Sequence, residues 1–252
     1  MLLAIDPSGV RRAPSSTGDR ATCPGCALPV LAKCGDLVSH HWAHESGADC
    51  DSWSEGESDW HRAWKERFPE SAREVVIGPH RADIALNGRV LELQHSAIST
   101  ETIAEREAFY GPGMLWLFDA REWRIGYRSD GTLLYHFFRP RVVWSITRPL
   151  LLDGLWPGRC FSVLRAFTDY DTQLDRDIQA LAGVWVEHAS LVSFLSGSAP
   201  SLPAIYPLPV HKIGTDFSVD SYDDFPFPDE NEPVKHGLCM ALNNYARFFG
   251  EV

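Results

Sequence analysis

The stretch from Arg81 to Ser96, RADIALNGRVLELQHS, constrains the fold of this 252-residue chain more than any other segment. Its pattern predicts a β-hairpin. Asn87-Gly88 is the strongest two-residue signal for a hairpin turn, and it separates an apolar run from the alternating segment RVLELQ. Because side chains alternate along a strand, Glu92 and Gln94 are expected on one face, while the leucines beside them face the other way.

Two carboxylates are predicted to converge on this hairpin. Asp83 lies on the first strand and Glu92 on the second. Carboxylates held close together are costly unless they are neutralised, and a hard divalent cation with oxygen ligands is the usual partner. The pair therefore predicts a site for Mg²⁺ or Mn²⁺. The alternative is a surface hairpin whose acids are solvated.

The segment before the hairpin predicts a helix from Glu57 to Phe68, because its apolar residues have helical spacing and Pro69 ends it. Two stripes recur at every fourth position: Trp60, Trp64 and Phe68 in one, and Glu57, His61 and Lys65 in the other. The aromatic stripe is expected to face the core. The polar stripe would then direct an acid, an imidazole and an ammonium group towards the two hairpin carboxylates. The alternative is a solvated face with ordinary helical side-chain pairs.

Four of the six cysteines lie in the first fifty residues. Cys23 and Cys26 form a CxxC knuckle, which can present two thiolates to one zinc ion, and His41 and His44 would complete a Cys2His2 set. Three further residues are competing ligands: Cys34, His40 and Cys50. The predicted zinc is structural, because four protein ligands leave no open position. The alternative is a group of unliganded thiols and surface histidines.

In their order and spacing, these segments resemble the CoiA-like competence protein family. The resemblance rests on CPGC…HHWAH, ESDWHRAWK, RADI, LELQHS, ETIAEREAFYG and MLWLF, and it covers roughly Cys23 to Asp119. It extends more loosely to RPLLLDG at Arg148 to Gly154. The core of that family resembles the PD-(D/E)XK nucleases, so the resemblance implies a nuclease core.

The resemblance also implies roles for individual residues. Asp83 and Glu92 would hold the catalytic Mg²⁺ or Mn²⁺, and Gln94 would take the place of the nuclease lysine. The helical stripe of Glu57, His61 and Lys65 matches the family's E…H…K motif. The candidate substrate contacts are Arg81, Arg106 and Tyr110, of which the last two match an R…Y pattern and could equally be helix-surface or core-edge residues. Gln94 carries no charge, so charge stabilisation would have to come from elsewhere, for example from Lys65.

The remaining segments extend this α/β pattern. The predicted strands are 74–77, 114–118, 123–127, 133–138 and 142–146, and the predicted helices are 100–110, 171–195 and a short one at 237–249. The expected fold is a three-layer, restriction-endonuclease-like α/β core with a mixed β-sheet, plus a small N-terminal zinc-binding lobe. Residues 1–21 are expected to be a partly ordered leader with a possible strand at Leu2 to Ile5.

Charge is distributed unevenly along the chain, which has a net charge of −11. Residues 1–166 carry 19 Lys and Arg against 21 Asp and Glu, a net charge of −2, whereas residues 167–252 carry 4 against 13, a net charge of −9. Residues 121–165 contain 8 Arg against 3 acids, which is compatible with phosphate binding. The predicted organisation is a leader and zinc lobe at 1–52, a nuclease core with a β-meander at 53–166, and a helical segment with an acidic, Pro-rich tail at 167–252.

These features predict a metal-dependent nuclease that hydrolyses DNA in uptake, recombination or defence against mobile DNA. The alternatives are a non-cleaving protein that binds and processes single-stranded DNA, and an interaction module whose acidic, aromatic tail docks a protein partner. The clustered cysteines favour a reducing compartment, so a cytoplasmic location is expected. No apolar run is long enough to span a membrane, and the first residues do not have the pattern of a signal peptide.

Overall fold

The computed structural model describes residues 1–35, 40–45, 50–53, 56–123, 125–127, 133–135, 143–171 and 176–202. The chain divides into two compact units, Met1–Ser96 and Ala97–Val252. The predicted acidic tail from residue 203 onwards and the predicted helix at 237–249 lie outside the described residues. No helix within the described residues is long and apolar enough to cross a membrane.

The first unit begins with a five-stranded antiparallel sheet. Its strands are β1 (Ala4–Ile5), β2 (Arg11–Arg12), β3 (Arg20–Thr22), β4 (Pro29–Lys33) and β5 (His41–His44). They are arranged in the order β2-β1-β3-β4-β5. A small core covers one face, and Val30, Ala32 and Trp42 are buried in it. Strand β1 lies within the possible strand predicted at Leu2 to Ile5, and residues 1–22 supply three strands of this sheet where the sequence predicted a mostly irregular leader.

The rest of the first unit is a helix followed by three antiparallel strands. Its elements are α1 (Asp59–Lys65), a 3-10 turn (Glu70–Ala72), β6 (Arg73–Ile77), β7 (His80–Leu86) and β8 (Arg89–Gln94). Strand β7 pairs with both β6 and β8. The predicted hairpin is confirmed, since Asn87 and Gly88 form its turn with positive φ values of 53° and 74°. Helix α1 is shorter than the predicted helix from Glu57 to Phe68, but the aromatic stripe of Trp60, Trp64 and Phe68 is buried as predicted.

Three sets of side-chain contacts join the two parts of the first unit. The Glu74 carboxylate accepts hydrogen bonds from the backbone amides of Leu2 and Leu3. The Arg11 guanidinium donates to carbonyl groups of the segment that opens β6. Asp51 accepts a hydrogen bond from the backbone amide of Arg81. These contacts explain why the lobe and the hairpin form one unit, whereas the sequence predicted a boundary after residue 52.

The second unit contains one long antiparallel region and one parallel strand pair. Its elements are α2 (Thr100–Tyr110), a 3-10 turn (Gly111–Gly113), β9 (Met114–Asp119), β10 (Ile125–Tyr127), β11 (Leu133–Tyr135), a 3-10 turn (Val143–Ser145), β12 (Leu150–Trp156), β13 (Arg159–Asp171), β14 (Arg176–Glu187) and α3 (His188–Leu195). Within this unit the strand order is β10-β11-β14-β13-β12-β9, and only β9 and β12 are parallel. The predicted helix at residues 100–110 is confirmed, with Ser99 as its N-cap.

Two predicted elements of the second unit were wrong. Residues 142–146 were predicted as a strand, but Val143–Ser145 form a 3-10 turn. Residues 171–195 were predicted as one helix, but β14 ends at Glu187 and only His188–Leu195 are helical. Pairing of β14 with β13 along its whole length outweighs the helical spacing of its apolar residues. The mixed α/β class and the mixed sheet are confirmed.

Candidate functional site

Three carboxylates lie in one row across strands β6, β7 and β8. The pairs Arg73–Ile84 and Val75–Ala82 place Glu74 beside Asp83. Ile84 pairs with Leu91, so Asp83 and Glu92, the next residues along the two antiparallel strands, lie opposite each other. Glu74 and Glu92 are buried. The sequence predicted two of these three acids, and the fold adds the third.

The regular β7–β8 pairing gives way to side-chain hydrogen bonds at this row. The Asp83 backbone amide donates to Glu92 Oε1 at 3.3 Å, and the Leu93 backbone amide donates to Asp83 Oδ2 at 3.0 Å. Each carboxylate therefore caps the backbone of the opposite strand. This arrangement fixes both acids, and Asp83 keeps the larger exposure, with 21% of its side chain accessible.

Helix α1 brings Lys65 into contact with the row. Its Nζ lies 2.8 Å from Glu57 Oε2, 3.3 Å from Glu74 Oε1 and 3.1 Å from Asp83 Oδ1, and its side chain is only 3% exposed. Burial by itself lowers the pKa of Lys65, but the three carboxylates raise it well above its ordinary value. Lys65 is therefore charged, and its three ammonium protons face three acceptors.

Glu74 is the member of the cluster that sequence reasoning missed. Burial raises the pKa of its carboxyl, but Lys65, Arg81 and the amides of the first residues lower it to about 2. Glu74 also has a positive φ of 48°, which few non-glycine residues adopt. The available signal was a single acid inside the apolar strand REVVI, since buried acids normally have a charged partner.

His61 holds the helix and the hairpin together. Together with the N-cap residue Ser58 it forms a capping box, in which Ser58 Oγ accepts from the His61 amide and His61 Nδ1 lies 2.7 Å from Ser58 Oγ. His61 Nε2 lies 3.2 Å from the carbonyl oxygen of Leu93. Both ring nitrogens are therefore engaged in positioning contacts. The structure places the imidazole beside the hairpin, as the sequence predicted, in a buried position.

The other two predicted members of the site, Glu57 and Gln94, also have side chains with little exposure. Glu57 Oε1 is a buried oxygen that has no hydrogen-bond partner among the described residues, while Glu57 Oε2 accepts from Lys65. Gln94 is buried and its amide nitrogen donates to the carbonyl of Ser96 at 2.8 Å. The amide thus fixes the end of β8. The predicted role of Gln94 in orienting water or phosphate stays a prediction.

The three predicted substrate contacts occupy structural positions. The Arg81 side chain is 14% exposed, and its Nε lies 3.9 Å from Glu74 Oε1. The neighbouring acids raise its pKa although burial alone lowers it. In the second unit, Arg106 is buried with its guanidinium 5.9 Å from the centre of the Trp116 ring, and Tyr110 packs against the core. These positions agree with the core-edge alternative for Arg106 and Tyr110.

The N-terminal lobe brings three of the four predicted zinc ligands together. The group consists of Cys23, Cys26, His44 and Cys50, whose ligand atoms all lie within 4.8 Å of one another. Cys23 Sγ and Cys50 Sγ are 3.6 Å apart, and Cys26 Sγ is 3.2 Å from His44 Nε2. Tetrahedral zinc with such ligands spaces neighbouring donor atoms by roughly 3.5 Å. Three sulfurs and one imidazole fit a closed, structural zinc site.

The predicted ligand His41 is replaced by Cys50. Residues three apart on a strand lie on opposite faces and about 10 Å apart along it. On β5, His44 pairs with Val30 near the cysteine knuckle, whereas His41 pairs with Lys33 at the other end. His41 is therefore excluded by strand geometry. The sequence offers Cys50 only as a competing ligand. The fold places its sulfur beside the cysteine knuckle.

The thiols of this group share hydrogen bonds. Burial raises the pKa of Cys26, but hydrogen bonds with the Leu28 amide and with the thiols of Cys50 and Cys23 bring it below its ordinary value. Burial and the same thiol contacts raise the pKa of Cys50 to about 12. The neighbouring protons thus stabilise one thiolate, and zinc would take the place of those protons.

Comparison with known proteins gives one match, over the zinc-binding lobe. Residues 16–52 match the family model described as competence protein CoiA, N-terminal domain. The matched segment includes all four members of the cysteine and histidine group. The match supports the resemblance of this segment to the CoiA family. No curated protein and no solved structure matches the chain.

Proposed function

We propose that the chain is a metal-dependent nuclease that hydrolyses phosphodiester bonds of DNA, in uptake and recombination or in defence against mobile DNA. The observation that carries the proposal is the convergence of Asp83 and Glu92, from two strands, with the Lys65 ammonium from α1. Acids and a cation held at the end of a strand pair are the groups that phosphodiester hydrolysis requires. The CoiA match over the adjoining lobe agrees with a protein that handles DNA.

The donor chemistry of the cluster fits Mg²⁺ or Mn²⁺. Asp83 and Glu92 offer only oxygen ligands, which these hard cations prefer. The buried Glu57 Oε1 is a further oxygen that lacks a hydrogen-bond partner within the described residues. When bound, the ion would supply an activated water and stabilise charge on the phosphate.

The protein's own residues would orient the reacting groups. Asp83 and Glu92 are held by backbone amides, so their oxygens need not reorganise during the reaction. Lys65 supplies a fixed positive charge beside Asp83, where it can offset developing negative charge on the phosphate. His61 acts as a positioning residue, because its two nitrogens join the N-cap of α1 to the β8 backbone.

A second candidate is a DNA-processing protein that binds single strands without cleaving them. The observation that favours it is the contact of Lys65 with three carboxylates, which offsets one of their three negative charges without a metal ion. In this case the cluster would be a buried ionic anchor between α1 and the sheet. A third possibility, docking through the acidic tail, concerns residues outside the described part of the chain.

The decisive experiment is a cleavage assay of the purified chain on single-stranded, linear and circular double-stranded DNA and on RNA. Each substrate is incubated with Mg²⁺, with Mn²⁺ and with a chelator. The proposal expects cleavage that depends on the metal, and the RNA arm tests the preference for DNA. Binding without cleavage under every condition would favour the second candidate.

Point variants then test the site. Asp83→Asn and Glu92→Gln each keep the side-chain shape but remove one negative charge, so cleavage should fall to background while DNA binding persists. Glu66→Gln is the matched control, because Glu66 follows Lys65 directly and is exposed. Thermal unfolding checks that each variant is folded. Full cleavage by the Asp83→Asn, Glu92→Gln double variant would place the active site elsewhere.

A further inference from the structure

A second mixed group of ligand-type side chains lies in the second unit, at one end of its parallel strand pair. Strands β9 and β12 run in register, with Asp119 opposite Asp153 at their carboxyl ends. In sheets with parallel strands, ligands are commonly bound at the carboxyl ends. Here Asp119 pairs with the Arg121 guanidinium, whereas Asp153 faces other partners.

Asp153, Cys160 and His188 come from three different elements and converge on one point. His188 Nε2 lies 2.8 Å from Asp153 Oδ1, and Cys160 Sγ lies 3.8 Å from the same oxygen. One oxygen, one sulfur and one nitrogen atom thus lie within 4.8 Å of one another. Asp153 and Cys160 are buried, and His188 is the first residue of α3.

The geometry does not match a cysteine hydrolase. In such an enzyme the imidazole lies between the thiol and the carboxylate and activates the thiol. In this group the carboxylate oxygen contacts both the imidazole and the thiol. Cys160 is moreover fully buried, so an incoming substrate carbonyl could not reach its sulfur.

We propose that Asp153, Cys160 and His188 bind a second zinc ion. Thiolate, imidazole and carboxylate are the three ligand types that zinc takes in proteins. Two of them would be negative when bound, so a dication would neutralise a thiolate and a carboxylate that are costly to bury together. The thiol and imidazole protons that now point towards Asp153 Oδ1 would leave when the ion enters.

Three protein ligands leave one position of a tetrahedral zinc site open. The His188 side chain is 13% exposed, so the group lies close to the surface on its imidazole side. Among the described residues no fourth Cys, His, Asp or Glu joins this group, so we infer water or an oxygen or sulfur atom of a small molecule as the fourth ligand. This separates the site from the Cys23, Cys26, His44 and Cys50 group, whose four protein ligands fill the coordination sphere.

The test is the number of zinc ions bound per chain. The full chain, purified from zinc-supplemented cells and freed of loosely bound metal, should contain two zinc ions by elemental analysis. Cys160→Ala and His188→Gln should each lower that number by one. Cys34→Ala is the matched control, since this free thiol belongs to neither group and its removal should leave the number unchanged.

The two zinc sites are distinguished by variants of the first one. Cys23→Ser should remove one zinc and leave the ion bound by Cys160. His188→Gln is a milder change than loss of the buried thiol. Circular dichroism checks that this variant is folded. Substitution with Co²⁺ gives an independent readout. The difference between the absorption spectra of the Co²⁺-loaded parent chain and of Cys160→Ala should be that of a tetrahedral ion with one thiolate ligand. A zinc content that neither Cys160→Ala nor His188→Gln changes overturns the proposal.

Discussion

Glu74 is held in its ionised form by charges on both sides. The Lys65 ammonium lies 3.3 Å from one carboxylate oxygen, and two backbone amides donate to the carboxylate at 2.8 Å. Because these contacts lower the pKa from 4.5 to about 2, they favour the folded state above about pH 4.5. Their contribution is lost as the pH falls towards 2. A shift of this size corresponds to roughly 3 kcal/mol.

We expect Glu74→Gln to lower the free energy of unfolding at pH 7 by about 3 kcal/mol, because a buried ammonium group loses one of its partners. The variant should also show a shallower loss of stability between pH 5 and 2 than the parent chain. Urea denaturation followed by tryptophan fluorescence over this pH range measures both effects.

Glu70→Gln is the matched control for this change, since Glu70 is exposed on the preceding turn. Its stability and pH profile should follow those of the parent chain. Equal profiles for Glu74→Gln and the parent chain would mean that the Glu74 carboxylate does not stabilise the fold.

The site residues predicted from the sequence share a local pattern, and the missed residue does not. Asp83 and Glu92 are adjacent across a tight hairpin, and Lys65 lies at helical spacing from His61. Spacing of this kind can be recognised in the amino-acid sequence. Glu74 depends instead on backbone amides more than seventy residues away, which no periodicity reveals. The sequence likewise leaves open whether Cys50 is a zinc ligand, because its position beside Cys23 depends on the fold.

At the scale of elements, the pairing of β13 with β14 decides the structure of residues 176–187. The helical spacing of apolar residues there favours a helix, yet twelve residue pairs, interrupted by one register shift, form a ladder with β13. Gly183 lies opposite Val163, close to an irregularity in that ladder. A Cβ at this position would lie 2.1 Å from the carbonyl oxygen of Ser162 and 2.8 Å from the Phe161 ring. The glycine therefore permits two backbones to approach closely.

Gly183→Ala should destabilise the chain by about 3 kcal/mol, because the new methyl group overlaps a backbone oxygen and a buried ring. Thermal unfolding followed by circular dichroism measures the loss. Gly35→Ala is the control, since a Cβ there meets no atom of the described residues within 4 Å, and its effect should stay within about 0.5 kcal/mol. A melting temperature unchanged in Gly183→Ala would contradict the close β13–β14 contact.

Helices and hairpins with local signals were predicted well, and long-range strand pairs were not. The cap of α2 at Ser99 and the turn at Asn87-Gly88 are set by residues next to one another. In contrast, β13 was not predicted, and residues 1–21 appeared irregular because their strands are two or three residues long. Strands this short are stabilised by neighbours in the sheet and carry little periodicity of their own.

At the scale of the whole molecule, the group of Cys23, Cys26, His44 and Cys50 brings the segment after β5 back to the cysteine knuckle of the N-terminal lobe. Cys50→Ser should weaken zinc binding by this group enough to lose the ion in a chelator competition, because one of its three thiolates is lost, and should lower the unfolding temperature. His41→Ala should retain all bound zinc, although the sequence alone favoured His41 as a ligand. Elemental analysis and a chelator competition assay measure both variants. Zinc loss in His41→Ala with retention in Cys50→Ser would restore the sequence-based ligand set.

Cys50 and Asp51 are neighbours in the chain. The first belongs to the metal-binding group, and the second contacts His80 Nδ1 at 2.9 Å and accepts from the Arg81 amide at 2.8 Å. Two adjacent residues thus contact both parts: Cys50 contacts the cysteine knuckle of the lobe, and Asp51 contacts β7, the strand that carries Asp83. A chimera in which residues 1–49 come from another zinc lobe would keep this anchor only if the incoming lobe accepts Cys50 as its last ligand. Together with the contacts of Glu74 and Arg11 between the lobe and β6, this dipeptide means that the lobe cannot be exchanged as an independent module.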